Sequence, residues 1–395
     1  MVNNDPIVIV SIARTPIGNL LGELKSFTAY QLGALTIKAA IERAHLKTND
    51  IHEVIMGCIL PAGQGQAPAR QASIYAGIPD TTPCTTINKM CGSGMKAIMF
   101  AHDTLIAGST DIMIAGGMES MSNAPYLLLK ARQGYRLGHS DIYDHMMLDG
   151  LEDAYDKGKP MGYFADHCAK RDDFTRQQQD DYAMSSFEYA QQAIRDKLFV
   201  NEIVPVTYQS KEGERIITTD EHPFSVNPTK IPQLQPIFVK NGTVTAGNSS
   251  SIADGAAAVV MMRLSTAEKL SIKPLARIVG QTSTAKAPAD FPTAPIAAMR
   301  QLMQKVQWSV ADIDLFEVNE AFAVVTLAAM RDLKIPREKM NIHGGACALG
   351  HPIGASGARI VVTLLAALQQ NNLKRGLASL CIAGGEATAL ALERL

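Results

Sequence analysis

No stretch of 18 consecutive apolar residues occurs in this 395-residue chain, so the sequence offers no helix long enough to cross a bilayer. The most apolar segment, residues 360–368 behind Arg359, has the length of a core helix. No CxxC pair occurs among the six cysteines, Cys58, Cys84, Cys91, Cys168, Cys347 and Cys381. That scatter speaks against a disulfide frame or structural zinc site and for free thiols in a reduced compartment. Charge is nearly balanced, with a net value of −1, so bulk electrostatics draws the chain neither to nucleic acid nor to a membrane surface. An anionic ligand needs a local pocket. The opening residues Met1-Val2-Asn3-Asn4-Asp5 carry neither the basic and apolar regions of a signal peptide nor the arginines of a transit peptide. The expectation is a cytoplasmic protein.

What the chain has in quantity is apolar residues, 47% of the total against 19% charged, together with 30 glycines. This is the composition of a compact fold with large buried surfaces, and the length suffices for two or three domains. Residues 6–13 are a β-branched run that reads as a strand, closed by Arg14-Thr15-Pro16-Ile17-Gly18. Residues 30–44 have helical periodicity, 51–60 read as a buried strand and 68–76 as a helix. A short strand, a helix after Cys91 and a strand over 111–115 follow. Strands alternating with helices predict an α/β protein with a largely parallel sheet covered on both faces. Between residues 117 and 248, Tyr, His, Asp, Lys and Gln become more frequent. There one amphipathic helix, 176–199, stands among loops and short strands. Such an insertion covers a substrate or forms oligomer contacts. Alternation then resumes, with strands over 254–264, 273–280 and 314–318, helices over 293–306, 319–333 and 353–370, and closing strands over 377–383 and 388–393.

The second half repeats the first. Ser93-Gly94-Met95-Lys96-Ala97-Ile98 matches Ser356-Gly357-Ala358-Arg359-Ile360-Val361, and Asp50-Ile51-His52-Glu53-Val54 matches Asp312-Ile313-Asp314-Leu315-Phe316. Ile114-Ala115-Gly116-Gly117 resembles Ile382-Ala383-Gly384-Gly385. Two copies of one α/β unit packed face to face are the architecture this order predicts. In this register Cys91 falls on Gly354, Gly57 on Asn319 and Gly116 on Gly384, so equivalent positions carry different chemistry.

Four stretches hold residues suited to catalysis. Cys91 stands where an extended segment gives way to a helix whose apolar face is Met95, Ile98, Met99, His102 and Leu105. A helix start lowers a thiol's pKa through its N–H groups and dipole; the alternative is a small buried hydrophobe. Glu317-Val318-Asn319-Glu320-Ala321-Phe322-Ala323 is a strand end entering a helix. Its Asn319 amide can hold a water or an imidazole, and Glu320 is either a general base or a solvated helix-start carboxylate. Residues 344–357 are too poor in Lys-Ser/Thr for a phosphate loop and read as a glycine-walled turn presenting His351, with Pro352 as the first helical residue. Cys381 ends a strand before Ala383-Gly384-Gly385.

Taken in order, Asn88-Lys89-Met90-Cys91-Gly92-Ser93-Gly94, Asn319-Glu320-Ala321-Phe322, Gly350-His351-Pro352-Ile353-Gly354 and Cys381-Ile382-Ala383-Gly384-Gly385 resemble the motifs of the thiolase family. Gly242-Thr243-Val244-Thr245-Ala246-Gly247-Asn248 and Asp254-Gly255-Ala256-Ala257 extend the resemblance over essentially the whole chain. It implies a five-layered αβαβα fold of two pseudo-equivalent halves with an inserted loop domain. Residues 1–118 with 249–270 would form the first half, 119–248 the loop domain and 271–395 the second half.

The resemblance also implies roles. Cys91 would be the nucleophile that takes the acyl group from an acyl-CoA, with His351 accepting its proton. Cys381 would remove the α-proton of a second acetyl-CoA. Asn319, through a bound water, and His351 would form one oxyanion hole, and the N–H groups of Cys91 and Ala383 the other. Leu151, Met161, Phe238, Ala246, Ser250 and Phe322 match positions lining the path of pantetheine and adenine. Coenzyme A thioesters would be substrates, with no separate cofactor, no metal, and a homodimer or homotetramer as the assembly, in fatty-acid metabolism. The expected reaction is the reversible joining of two acetyl-CoA molecules. The alternatives are a degradative 3-ketoacyl-CoA thiolase, a non-catalytic acyl-CoA or lipid carrier on the same fold, and a Cys–His–Cys metal site. The chain departs from the family pattern at Pro160-Met161, where acetoacetyl-CoA enzymes often have His-Met, and at Ala383, where glycine is commoner. Phe187 replaces the tyrosine of the potassium-dependent members that the 290–295 segment resembles.

Overall fold

The computed structural model describes residues 5–210 and 213–395; of the opening pentapeptide, residues 1–4 lie outside the described residues. The first half runs β1 (Ile7–Arg14), α1 (Ala29–Arg43), β2 (Glu53–Gly57), α2 (Pro68–Tyr75), β3 (Cys84–Ile87), α3 (Ser93–Ala107) and β4 (Ile112–Ser120). The insertion follows, with α4 (Met161–Arg171) and α5 (Arg176–Arg195), and β5 (Ala253–Arg263) closes the unit. The second half runs β6 (Ala276–Ala285), α6 (Ala294–Val306), β7 (Leu315–Val318), α7 (Ala323–Leu333), α8 (Ser356–Gln370), β8 (Arg375–Ile382) and β9 (Glu386–Arg394).

The strands lie in the order β7-β8-β9-β6-β1-β5-β4-β2-β3, with the two-residue strand Gly18–Asn19 on β5. Only β2–β3, β2–β4 and β7–β8 pair in parallel; β5 and β9 return antiparallel between their neighbours. The expected largely parallel sheet is therefore a mixed one. A β–α alternation reports the crossovers before each parallel pair. It says nothing about a strand that re-enters after a 130-residue insertion or a tight turn.

The halves meet where β1 pairs with β6, Val8 beside Arg277 and Ile9 beside Ala276. A β-bulge breaks the register between Ile9 and Ser11 in β1 and between Ile278 and Gly280 in β6. One extra residue at the same place in both copies re-aims each strand in the same way. Strand pairing also corrects one part of the repeat. Gly57 lies beside Gly117, and Val318 beside Ser379. If Gly57 matches Asn319, then Gly117 matches Leu380, and Gly116 falls on Ser379 rather than Gly384. Cys381 is thus the counterpart of Met118.

Five layers result. α1 and α2 cover one face of the strands of the first half, α3 and α8 lie between the strands of the two halves, and α6 and α7 cover the far face of those of the second. The central position explains the composition of α8, which is buried through all but its last two residues and is mostly apolar, with Arg359 paired to Glu317. α3 and α8 approach at reciprocal glycines. A Cβ on Gly94 would stand 2.7 Å from Ala358 N, and one on Gly357 2.4 Å from Met95 N, so any side chain there separates the helices.

Several boundaries differ from the sequence reading. The strand expected over 51–60 is confined to β2, because Glu119 captures the N–H groups of Ile59 and Leu60. α4 is a second helix of the insertion that the sequence did not announce. The helix expected from Asn319 starts at Ala323, and that expected from Ile353 starts at Ser356, so Pro352 precedes the helix. Among the described residues no helix is long and apolar enough to cross a membrane.

Candidate active site

Cys91 sits in a tight turn between β3 and α3. Met90 takes a left-handed conformation with φ 46°, an uncommon state for a side chain of this size. Ser93 holds the turn, its hydroxyl accepting from Lys89 N–H (2.8 Å) and donating to the Met90 carbonyl (2.7 Å). The Cys91 residue is partly exposed, but its sulfur is enclosed. Burial pushes the thiol up to about 11, against the N–H groups of Ala383 and of Cys91 itself, which pull it down; Glu119 adds to the rise. The expected lowering is overturned because α3 begins two residues later, and desolvation exceeds what two N–H donors return.

Ala383 reaches Cys91 from the other half. Its φ is not positive, whereas the following Gly384 and Gly385 have φ of +91° and +87°, which leaves its N–H aimed inward across the β8–β9 turn. Cys381, at the end of β8, is fully buried. Burial raises its pKa well above the usual thiol range, and the nearby Cys91 raises it further. Ile382 packs against the Cys91 turn so closely that a Cβ on Gly92 would fall 2.4 Å from its Cδ1. Both thiols therefore rest protonated, within electrostatic reach of each other.

His351 follows Gly350, whose φ of +105° no side chain favours. The imidazole Nδ1 lies 2.5 Å from Ser356 Oγ, and that hydroxyl donates to the Pro352 carbonyl (3.0 Å). Ser356 therefore accepts from Nδ1–H, and Nε2 carries the lone pair. Burial, with Arg359 nearby, lowers the His351 pKa to about 3, so the ring is neutral. Asn319 Nδ2 stands 3.5 Å from Nε2, and Asn319 Oδ1 is buried with no protein partner. Glu320 is neither a base in the cleft nor solvated. It accepts from Tyr182 (2.8 Å), Ser186 (2.7 Å), Asn341 (2.8 Å) and Cys347 N–H (3.1 Å), and so locks the Asn319 segment in place.

A cavity of about 830 Å³ opens onto His351. Leu151, Met161, Phe238, Ala246, Ser250 and Phe322 all line it. One wall, Met121, Leu151, Ile252 and Ile353, belongs to the apolar cluster that contains Cys91. The opposite wall, Met161, Phe238 and Phe322, packs in the cluster that contains Cys381. The Phe238 and Phe322 rings meet edge to face at 6.1 Å. Among the described residues, no group of three or more His, Cys, Asp or Glu side chains is placed to hold a metal ion.

Glu119 is a further residue of the site, one that no motif in the sequence marks. Its carboxylate oxygens accept from the N–H groups of Ile59 (3.0 Å), Leu60 (3.1 Å) and Gly354 (3.0 Å). The available signal was a lone acid in an otherwise uncharged strand.

Two thiols and inward-facing N–H donors, packed in the clusters that wall an apolar cavity, and a neutral imidazole with its lone pair fixed that opens onto it, define a cysteine-centred enzyme on a duplicated five-layer fold. The chain belongs to the thiolase family: the thiolase N-terminal domain matches residues 7–265 and the thiolase C-terminal domain residues 272–394. It is 46% identical to a probable acetyl-CoA acetyltransferase of Dictyostelium discoideum over all of this chain and 95% of that one. It is 47% identical to the mitochondrial acetyl-CoA acetyltransferase of Rattus norvegicus over 98% of this chain and 91% of that one. The crystal structure of the Acat5 thiolase from Ascaris suum in complex with coenzyme A superposes with a TM-score of 0.93 at 40% identity, covering 99% of this chain and 100% of that one.

Proposed function

We propose that this protein is an acetyl-CoA C-acetyltransferase, which reversibly condenses two acetyl-CoA molecules to acetoacetyl-CoA and CoA through an acetyl group carried on Cys91. The observation that carries the reading is the packing of Ile382, next to Cys381, against the Cys91 turn of the opposite half, where a Cβ on Gly92 would fall 2.4 Å from its Cδ1.

His351 Nε2 takes the Cys91 proton as the sulfur attacks the thioester carbonyl. The C–S bond to CoA breaks, CoA leaves as the thiolate and is protonated by solvent, and His351 keeps the Cys91 proton on Nε2. Because thiol and imidazole both rest neutral, the thiolate forms only as the attack proceeds. Acyl transfer from one sulfur to another is nearly even in energy and runs both ways. Cys381, once it has given its proton to solvent, is a strong base because its burial disfavours the thiolate. It takes the α-proton of the second acetyl-CoA. Asn319, holding a water, and His351 Nε2–H stabilise the enolate oxygen, and the N–H groups of Cys91 and Ala383 face the acetyl-cysteine oxygen. The enolate carbon attacks the acetyl carbonyl, the bond to Cys91 breaks, and the Cys91 thiolate regains its proton from His351 Nε2. Leu151, Met161, Phe238, Ala246, Ser250 and Phe322 form the wall along which the pantetheine arm lies.

Incubation with acetyl-CoA alone is expected to yield acetoacetyl-CoA and free CoA, and acetoacetyl-CoA with CoA to yield acetyl-CoA. Failure in both directions removes the reading. A clear preference for longer 3-ketoacyl-CoA in thiolysis would move it to the degradative thiolase.

The chain is read as two core halves, 1–118 with 249–270 and 271–395, around a loop domain at 119–248, a division the matching bulges in β1 and β6 support. Within the loop domain Tyr126, Leu128, Leu129, Ile142 and the fully exposed Leu137 crowd around a two-stranded hairpin. An apolar display of this kind supports a homodimer or homotetramer. Light scattering is expected to give two or four times the 42.5 kDa chain mass; a monomer contradicts it. The free thiols support a cytoplasmic location.

A further inference from the structure

Every residue of β4 is buried, and Glu119 is its only charged one. Taking a carboxylate into such a place costs on the order of several kcal/mol unless hydrogen bonds replace its water. Glu119 has that replacement from two directions. Ile59, Leu60 and the Cys58 thiol (3.6 Å) reach it from the loop after β2. Gly354 reaches it from the turn that carries His351. All four partners are N–H or S–H groups, and none is a cation. Gly354 is shaped to the contact, since a Cβ there would stand 2.6 Å from Glu119 Oε2.

The duplication supplies a control inside the molecule. In the register set by strand pairing, the counterpart of Glu119 is Ile382, and the counterpart of Gly354 is Cys91. Ile382 lies under the Cys91 turn and touches it through apolar contact. Glu119 lies at the matching place under the His351 turn and grips it by a hydrogen bond to the backbone. A duplicated fold does not need a carboxylate there, because the other copy is built with isoleucine. The same loop that Glu119 holds, Ile59 and Leu60, packs in one apolar cluster with Met90 and Cys91. One buried side chain thus ties the floor beneath the nucleophile to the turn beneath its base.

We propose that Glu119 is a positioning residue for acyl transfer to Cys91, fixing the His351 turn of the second half against the Cys91 floor of the first through the N–H groups of Gly354, Ile59 and Leu60. It touches no substrate. It acts through the distance and angle between the His351 lone pair and the Cys91 thiol, a geometry in which small displacements are costly. The inference rests on the acyltransferase reading above.

The test is the first-order rate constant for acetylation of Cys91 by acetyl-CoA, followed by quenched-flow mass spectrometry in wild type and Glu119→Gln. The amide keeps the size of the carboxylate but turns an N–H group toward donors that need an acceptor. The rate constant is expected to fall by about 10- to 100-fold, with the KM for acetyl-CoA changed by no more than about twofold. A purely structural role would reduce the yield of folded protein and leave this rate constant unmoved, since it does not depend on how much protein is active. A Glu119→Gln rate constant within about threefold of wild type overturns the proposal. Should that variant not fold, Glu119→Asp is read in the same way; it keeps the charge on an arm one methylene too short to reach both sides. Wild type that takes up no acetyl group would instead overturn the acyltransferase reading itself.

Discussion

Replacing Cys381 with serine is expected to leave a protein that still acquires one acetyl group on Cys91 yet condenses acetyl-CoA about 10²- to 10⁴-fold more slowly. The two half-reactions use different groups. Acetylation needs Cys91, His351 and the N–H donors. Condensation needs in addition a base for the α-proton of the second thioester. The Cys381 thiol is already raised well above its usual range by burial and by Cys91, so its thiolate is basic, yet it remains far easier to form than a serine alkoxide. Volume is nearly conserved by the change, and Cys381 lies in the closed apolar cluster around Phe322, so the fold is expected to persist. The measurement is a pair of assays on one sample, acetyl incorporation and acetoacetyl-CoA formation. Normal turnover would refute the role given to Cys381; loss of both would place it in the first half-reaction.

Arg14→Leu is expected to destabilise the fold by about 3–5 kcal/mol, the cost of stranding a buried ionic partner. The guanidinium is fully buried, with Nε 2.5 Å from Glu202 and its two Nη atoms 2.7 and 2.9 Å from Asp220. It also stacks on Phe199 at 4.8 Å. Burial works against its charge, and the two carboxylates outweigh that effect. Without the arginine, Glu202, whose pKa burial already raises, and Asp220 would face each other in a closed space. The folded pKa of Glu202 rises further, so the folded state binds more protons than the unfolded one. Stability then falls as pH rises from the unfolded carboxylate range through the folded values. Urea unfolding at pH 5 and pH 8 is expected to show the larger loss at pH 8. An equal loss at both would mean that the arginine acts through packing alone.

Much of the candidate site is legible in the sequence because its chemistry is local. Cys91, Asn319, His351 and Cys381 each stand at the end of a strand or beside a glycine that shapes a turn, and those signals need no tertiary information. The six cavity residues were placed by resemblance, and all six line one cavity. Other features were hidden for physical reasons. The direction of β5 and β9 depends on how the chain re-enters the sheet, which no periodicity records. Met161–Arg171 forms a helix although Pro160 and Gly162 flank its start, because Phe164, Ala165, Cys168 and Ala169 pack on the second half. Glu320 looked available for catalysis because its four partners come from residues 182, 186, 341 and 347. Cys91 looked activated because a helix start is visible in sequence and desolvation is not. Glu119 escaped notice because its meaning lies in Gly354, 235 residues away.

The most direct measurement is the mass of the intact protein and of its Cys91 peptide after brief exposure to acetyl-CoA and acid quench, in wild type and Cys91→Ala. One acetyl group per wild-type chain is expected, located on Cys91, discharged by added CoA and missing from the variant. An acetyl group that persists in Cys91→Ala, or none on wild type that turns over, would contradict it.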